Sequence, residues 1–380
     1  MKNYSEHYNS DHKPNILKHI KIQCNPEYST RSNSLQLFIN IYLLPVVSLI
    51  GFFLNVICVL VYRKILRKKP EILYKYLYIN SISNSLAMFI DMFAPMALCG
   101  NDCKISQTYS AQFFYLYGFI YLADVFETFS SLIDIILTID RYDQLTNKLR
   151  FLRKVSYKLI ILFLFLISLI YYIPFILKKK IVQLSYPENE KCFNTSEEVY
   201  ILAQSNFGKS KFGIYFILIQ LILSEVFVLC IMIIFNVLLL ISLNRHIYLT
   251  SIENKRLYSR VLFSIREMAD GNISMEDDCL IRNSISLQNQ NRSNFRLTLM
   301  IISMSILNLF GNSPIVILYT IGIFYSIDPV LNNNLVALSN LLAVFTFTCY
   351  IFVYYYFNNL FRASLKNMML FKNLRIKLNF

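Results

Sequence analysis

Seven stretches of this chain are each long and apolar enough to span a bilayer, and this limits the folds open to it. They are residues 37–62, 73–98, 112–139, 155–177, 212–243, 297–324 and 331–356. A helix needs about 20 apolar residues to cross the roughly 30 Å hydrocarbon layer. Each stretch meets that length, and none carries a Lys or Arg away from its ends. The runs are continuously apolar and far exceed the roughly 9–11 residues of a barrel strand, so helices are expected. Composition agrees: 56% of residues are hydrophobic and only 16% are charged, where a soluble domain carries about 25% charged residues. The expected fold is an all-α membrane protein, a seven-transmembrane helix bundle. Residues 1–36 form a polar N-terminal tail, 37–356 the bundle with a long third inside loop at about 244–296, and 357–380 a cytoplasmic tail.

The basic residues give a direction. With the N-terminus outside, 25 of the 37 Lys and Arg fall on the cytoplasmic side and 12 outside. That agrees with the positive-inside rule. Arg63, Lys64, Arg67, Lys68 and Lys69 crowd the first inside loop, whereas Lys104 is the single basic residue of the first outside loop. Lys178-Lys179-Lys180, outside, opposes the bias without reversing it. The net charge of +14 then reads as charge facing membrane lipid. No soluble domain is available to present a basic face to nucleic acid. No apolar h-region precedes the first span, which is expected to act as signal anchor into the plasma membrane.

Two further patterns sort by side. Glycosylation sequons at Asn3 and Asn194 lie outside; those at Asn272 and Asn291 lie inside, where no glycan is added. Cys24, Cys99, Cys103 and Cys192 lie on the outer, oxidising side and allow three pairings. A bridge from the loop before span three to Cys192 would staple the outer loops, with Cys103 the better placed partner; free thiols are the alternative.

Five carboxylates lie within the spans with no basic residue in the same interior: Asp91, Asp124, Glu127, Asp134 and Glu225. Ionisable groups at membrane depth point to function. An isolated carboxylate there must take a proton or find a cation. Asp124 and Glu127 are three apart and therefore neighbours on one helix surface. By helix rise they lie about 25 and 21 Å above the inner end of span three, and Asp134 about 10 Å above it. Asp91, Asp124 and Glu127 are thus candidates for an outer ligand pocket accepting a cationic group. The other reading is of hydrogen-bonded packing acids. Asp134 is too deep for a large ligand and suits packing or an internal relay.

The inner end of span three carries Asp140-Arg141-Tyr142, in the context Ile136-Leu-Thr-Ile-Asp-Arg-Tyr. An arginine at the inner edge of a bundle is costly unless paired or wet. This site resembles the Asp-Arg-Tyr motif of rhodopsin-like (class A) G-protein-coupled receptors. The resemblance implies that Asp140 pairs with Arg141 at rest, and that Arg141 faces a heterotrimeric G-protein on activation. Other positions are similar more loosely. Asn55 lies eight residues before Arg63, like the family's span-one asparagine. Pro314 falls where the family has a kinking proline in span six. Tyr350-Ile-Phe-Val-Tyr354, then Asn358-Asn359-Leu-Phe361-Arg362, resembles the end of span seven and the short amphipathic eighth helix. Phe361, Leu365 and Met368 would face the inner leaflet.

Departures from that pattern are also specific. Tyr350-Ile351 stands in place of Asn-Pro, and Asn84-Ser85 in place of the span-two aspartate. Asn308 and Asn312 stand where span six would carry an aromatic toggle, and Leu116 stands at the usual cysteine position of span three. The amine receptors' aspartate would fall at Ala123. Gly311-Asn312-Ser313-Pro314 is similar to neuropeptide receptors of the FMRFamide type, which implies an amidated neuropeptide as ligand. The chain is thus expected to be a divergent invertebrate-type receptor with no cofactor. A cation channel or transporter is the alternative, since intramembrane acids can line an ion path. A retinal protein is disfavoured because 331–356 contains no lysine. No hydrolase, metalloprotease, nucleotide-loop or Cys-x-x-Cys motif supports an enzyme.

Overall fold

The computed structural model describes residues 34–99, 103–146, 148, 155–184, 199–221, 227–269, 275–324 and 328–377. These residues are almost entirely helical. Six helices are long and apolar enough to cross a membrane. They are α1 (Ser34–Lys68), α2 (Ile72–Leu98), α4 (Tyr157–Lys178), α5 through Phe227–Arg245, α6 through Ser293–Leu318, and α7 through Val330–Phe357. The chain is therefore an all-α, multi-pass membrane protein. The third expected span is also a helix, α3 (109–146), with π-helical turns over Phe114–Ala123. It is not among the six, and Asp124, Glu127 and Asp134 lie within its apolar run.

Which face each helix buries is written in its sequence. Helix α4 buries only Leu164, Ser168 and Tyr172. They are four apart, one stripe of a helix surface. The opposite face exposes Leu159, Phe163 and Ile170. Apolar surface of that extent is stable against lipid, not water. Helix α2 lies deeper and buries Leu73, Leu77, Asn80, Asn84, Ala87 and Asp91. The core is densest toward the predicted inner side, where Tyr62, Tyr74, Phe347, Tyr350, Tyr354 and Phe361 are fully buried. Tyr62 packs 5.2 Å from both Tyr354 and Phe361, tying α1 to α7 and to the C-terminal helix.

Small residues set two of the closest approaches. A methyl group on Gly51 of α1 would fall 2.6 Å from Thr348 Oγ1, and one on Gly311 of α6 would fall 2.6 Å from Thr346 Oγ1. Both threonines are on α7, so glycine is what lets α1 and α6 flank it so closely.

The third inside loop is helical over most of its expected length. α5 continues to Ala269 and α6 begins at Met275. Neither Gly nor Pro occurs between 244 and 270 or between 272 and 310, so nothing in these runs breaks a helix. Following α4, β1 (Lys179–Leu184) pairs antiparallel with β2 (Val199–Gln204), Lys179 opposite Gln204. The apolar pattern does not reveal this hairpin. Its strands are six residues each, below the length at which span-scale hydropathy registers. After α7, Asn358 caps α8 (Asn359–Lys377), its Oδ1 accepting from the Phe361 amide at 3.1 Å. Phe361 and Leu365 of α8 are buried against the bundle, and Arg362 is not.

Candidate functional site

Three polar groupings are arranged along α3: one at its inner end, one about two turns before it, and one about four turns before it. At its inner end, Arg141 is only 5% exposed. One guanidinium nitrogen donates to Gln144 Oε1 at 2.7 Å, and Gln144 Nε2 donates to Asp140 Oδ2 at 2.7 Å. The acid and the base of the triplet are thus joined through Gln144. The spacing makes this possible: Gln144 is three residues from Arg141 and four from Asp140, adjacent on one helix face. Arg141 Nε is buried without a hydrogen-bond partner among the described residues. The Tyr142 ring packs against Phe235 of α5, centroids 6.4 Å apart.

The looser resemblances find physical roles. Asn55 is buried and its Nδ2 donates to the carbonyls of Gly51 at 2.9 Å and Phe347 at 3.3 Å. It therefore joins α1 to α7. Pro314 lies within α6. Tyr354 is fully buried in the aromatic cluster, 5.6 Å from Phe361.

At the outer end, Asp91 of α2 is 3% exposed and its Oδ2 has no hydrogen-bond partner among the described residues. It lies in the electrostatic field of Glu127 and, less strongly, Asp124. The structure therefore brings these three acids together. Among the described residues no group of acids, histidines and cysteines is arranged to hold a metal ion. A cation does approach this end. Lys179 of β1 lies 5.5 Å from the centre of the Tyr115 ring, and Tyr115 in turn lies in the field of Asp124. Burial, and the adjacent Lys178, hold the Lys179 ammonium below its usual range. The pattern of apolar spans does not point to Lys179, because its position depends on the hairpin.

About two turns before Arg141, Asp134 is 1% exposed. Asn80 Nδ2 of α2 donates to its Oδ1 at 2.8 Å. Tyr350 Oη of α7 donates to its Oδ2 at 2.8 Å, and Asn308 Nδ2 of α6 donates to the same oxygen at 3.2 Å. The shell is itself held: Ser130 donates to Asn80 Oδ1, Asn312 Nδ2 to Asn308 Oδ1, and Asn308 Nδ2 lies 3.2 Å from Ser131 Oγ. Four helices meet at one carboxyl group. Asn308, Asn312 and Tyr350 are residues at which the chain departs from the receptor pattern, and the departures converge here.

The expected Cys103–Cys192 bridge is corrected: Cys103 is bonded to Cys99, their Cα atoms 5.6 Å apart. The two cysteines are four residues apart, after the end of α2 and just before the Lys104–Gln107 helical turn. Cys192, Asn3, Asn194 and Glu225 lie outside the described residues. No family model matches the chain, and no curated protein gives a significant match to it.

Proposed function

We propose that this chain is a divergent rhodopsin-like G-protein-coupled receptor, with seven spans, an extracellular N-terminus and a place in the plasma membrane. In this reading α3 completes the seven spans and α8 is the amphipathic helix on the inner leaflet. The observation that carries it is the state of Arg141. A guanidinium is buried at the inner end of α3 and bridged to Asp140 by a glutamine, in the triplet that resembles the receptor motif. Burying an arginine with one nitrogen unpartnered is costly, and the cost is recovered if the group has a partner in another state. A G-protein docking to the opened inner face is that partner.

The ligand is an extracellular molecule with a cationic group, an amine or the arginine of an amidated peptide, received by Asp91, Asp124 and Glu127. Three carboxylates near one another repel, and a cation relieves both that repulsion and the desolvation of Asp91.

The test is expression with a promiscuous G-protein reporter, screened against amines and amidated neuropeptides, with Arg141→Ala alongside. Ligand-dependent signalling that Arg141→Ala abolishes supports the reading. A ligand-gated current that Arg141→Ala leaves intact replaces it with the channel reading. Epitope tags at the two ends test the topology, and an N-terminal tag stained only after permeabilisation overturns it.

A further inference from the structure

Helix α7 ends at Phe357, and Asn358, in extended backbone, turns the chain into α8. The Phe361 amide takes Asn358 Oδ1 as its acceptor. That bond fixes which way round the Asn358 amide lies, so its Nδ2 is left as a donor. Asn358 is 1% exposed, and Nδ2 has no hydrogen-bond partner among the described residues. A buried donor in that state is costly. Asn358 lines a cleft together with Asn359 and Leu360 of α8, Ser293 and Arg296 of α6, and Tyr74 of α2.

The charge around this cleft is positive. Arg296 Nη1 donates to Asn359 Oδ1 at 2.9 Å, and Arg362 Nη2 reaches the same oxygen at 3.4 Å. Two guanidinium groups thus converge on one neutral oxygen. The other hydrogen bonds of Arg362 go to the carbonyls of Tyr355 and Tyr356, which are also neutral. The backbone adds to this charge. The first amides of a helix have no acceptor within it, and its N-terminal end carries the positive end of the dipole. In α8 these are the amides of Asn359 and Leu360, both residues of the cleft. An acid, Glu71, does bear on Tyr74, but it is paired with Lys69 at 2.8 Å, and Arg141 bears on Tyr74 with the opposite sign.

We propose that this cleft is an oxyanion site for a phosphate monoester, held by Arg296, Asn358 Nδ2 and the first amides of α8. Donors come to it from α6 and from the α7–α8 turn, and a tetrahedral anion offers an oxygen to each. A phosphate carried by a lipid headgroup and free inorganic phosphate share this chemistry. The position favours the lipid. Tyr355, Tyr356 and Leu360, close to Asn358 in the chain, expose apolar surface suited to acyl chains, and basic pockets between spanning helices hold such headgroups. The site stands on this geometry and does not rest on the receptor reading.

The experiment uses the full chain in phosphatidylcholine nanodiscs. Phosphatidic acid carries a phosphate monoester and phosphatidylserine a diester, and the two are compared at matched charge. Native mass spectrometry counts bound lipid, and the melting temperature reads protection. Phosphatidic acid should bind more tightly than phosphatidylserine and raise the melting temperature more. Asn358→Asp keeps the oxygen that caps α8 and replaces the donor with a charged acceptor, so α8 should still form. Asn358→Asp and Arg296→Gln should each weaken phosphatidic acid binding by about tenfold or more, the loss of one charge-assisted bond. Lys366 is exposed on the same helix, so Lys366→Gln removes equal charge outside the cleft and should leave the preference intact. Inorganic phosphate added to phosphatidylcholine discs separates the sources. Protection equal to that from phosphatidic acid supports the site and assigns it to free phosphate. Equal binding of the two lipids by the unaltered chain, with no protection by inorganic phosphate, overturns the proposal. So does a preference that survives both cleft variants, or one that Lys366→Gln abolishes as fully as Arg296→Gln.

Discussion

Tyr350 and Asp134 are 216 positions apart in the chain and bonded at 2.8 Å in the fold, the phenol donating to the carboxylate. Tyr350 also packs edge-on against Phe347, at 5.8 Å between centroids, and 6.3 Å from Tyr354. Its ring and its hydroxyl can therefore be separated experimentally. Tyr350→Phe keeps the ring contacts and leaves Asp134 with two donors. It should destabilise the detergent-solubilised protein by about 0.5–1.5 kcal/mol, the usual net worth of one hydrogen bond. Thermal unfolding monitored with a thiol-reactive dye measures this. A melting temperature equal to that of the unaltered chain means that the phenol does not serve the acid.

Arg141 and Asp140 make opposite predictions in the receptor reading. Arg141→Ala should leave surface expression and ligand affinity near wild type and remove signalling, because Arg141 lies about 21 Å from Glu127 by helix rise. Asp140→Asn should raise basal signalling by weakening the hold on Arg141. Gln144→Ala should act in the same direction as Asp140→Asn, since Gln144 connects the two. The reporter assay on all three variants decides it. A silent Gln144→Ala means that the bridge carries no restraint.

The positions of six spans and the clustering of acids are readable from sequence because each depends on composition over about 20 or more residues, or on spacing along one helix. Asp124 and Glu127 are near neighbours on any helix, and Asp91 joins them once α2 packs on α3. The gathering at Asp134 is not readable in this way. Asn80, Asn308 and Tyr350 come from three helices, and their meeting depends on helix rotation, which apolar runs of near-uniform hydropathy do not specify. The glutamine bridge is within reach of sequence reasoning, three and four residues from its partners. The Cys99–Cys103 bond joins residues four apart in sequence, whereas the expected pairing with Cys192 assumes a loop-to-loop staple.

The Cys99–Cys103 bridge closes a very short loop. In the chain-entropy model such a loop contributes only about 2 kcal/mol. Cys103→Ser should therefore lower thermal stability modestly and leave surface expression largely intact. Peptide mapping without reduction should find residues 99 and 103 joined within one fragment. Finding Cys103 joined to Cys192 restores the loop-to-loop staple.

Gly311 makes a packing prediction. A methyl group added there meets Thr346 Oγ1 at 2.6 Å and Ala343 Cα at 3.4 Å. Gly311→Ala should cost about 1–3 kcal/mol, the usual effect of overpacking. Thr346→Ala removes the Oγ1 at 2.6 Å but keeps the Cβ at 3.0 Å, so the double variant should recover part of that loss. Non-additivity of this size is expected only for residues in contact. Thermal unfolding of the four proteins measures the coupling, and simple additivity means that α6 and α7 are not held at this point.

Charge at the outer end of the bundle should set the response to a cationic ligand. Asp91 is buried with one oxygen unpartnered among the described residues, in the field of Glu127 and Asp124. Asp91→Asn, Asp124→Asn and Glu127→Gln should each lower potency, because each removes charge that offsets the ligand's desolvation. Lys179 is the internal competitor: it sits over Tyr115, and Tyr115 lies in the field of Asp124. Lys179→Gln should therefore raise potency, by roughly fivefold or less for a charge separated by a ring width and screened by salt. The two directions distinguish an electrostatic pocket from a structural one, since damage to packing would lower potency in all four variants. Raising the salt concentration should shrink both effects together. Acid variants that leave potency unchanged, alongside an Arg141→Ala that abolishes signalling, would keep the receptor assignment and move the ligand site elsewhere.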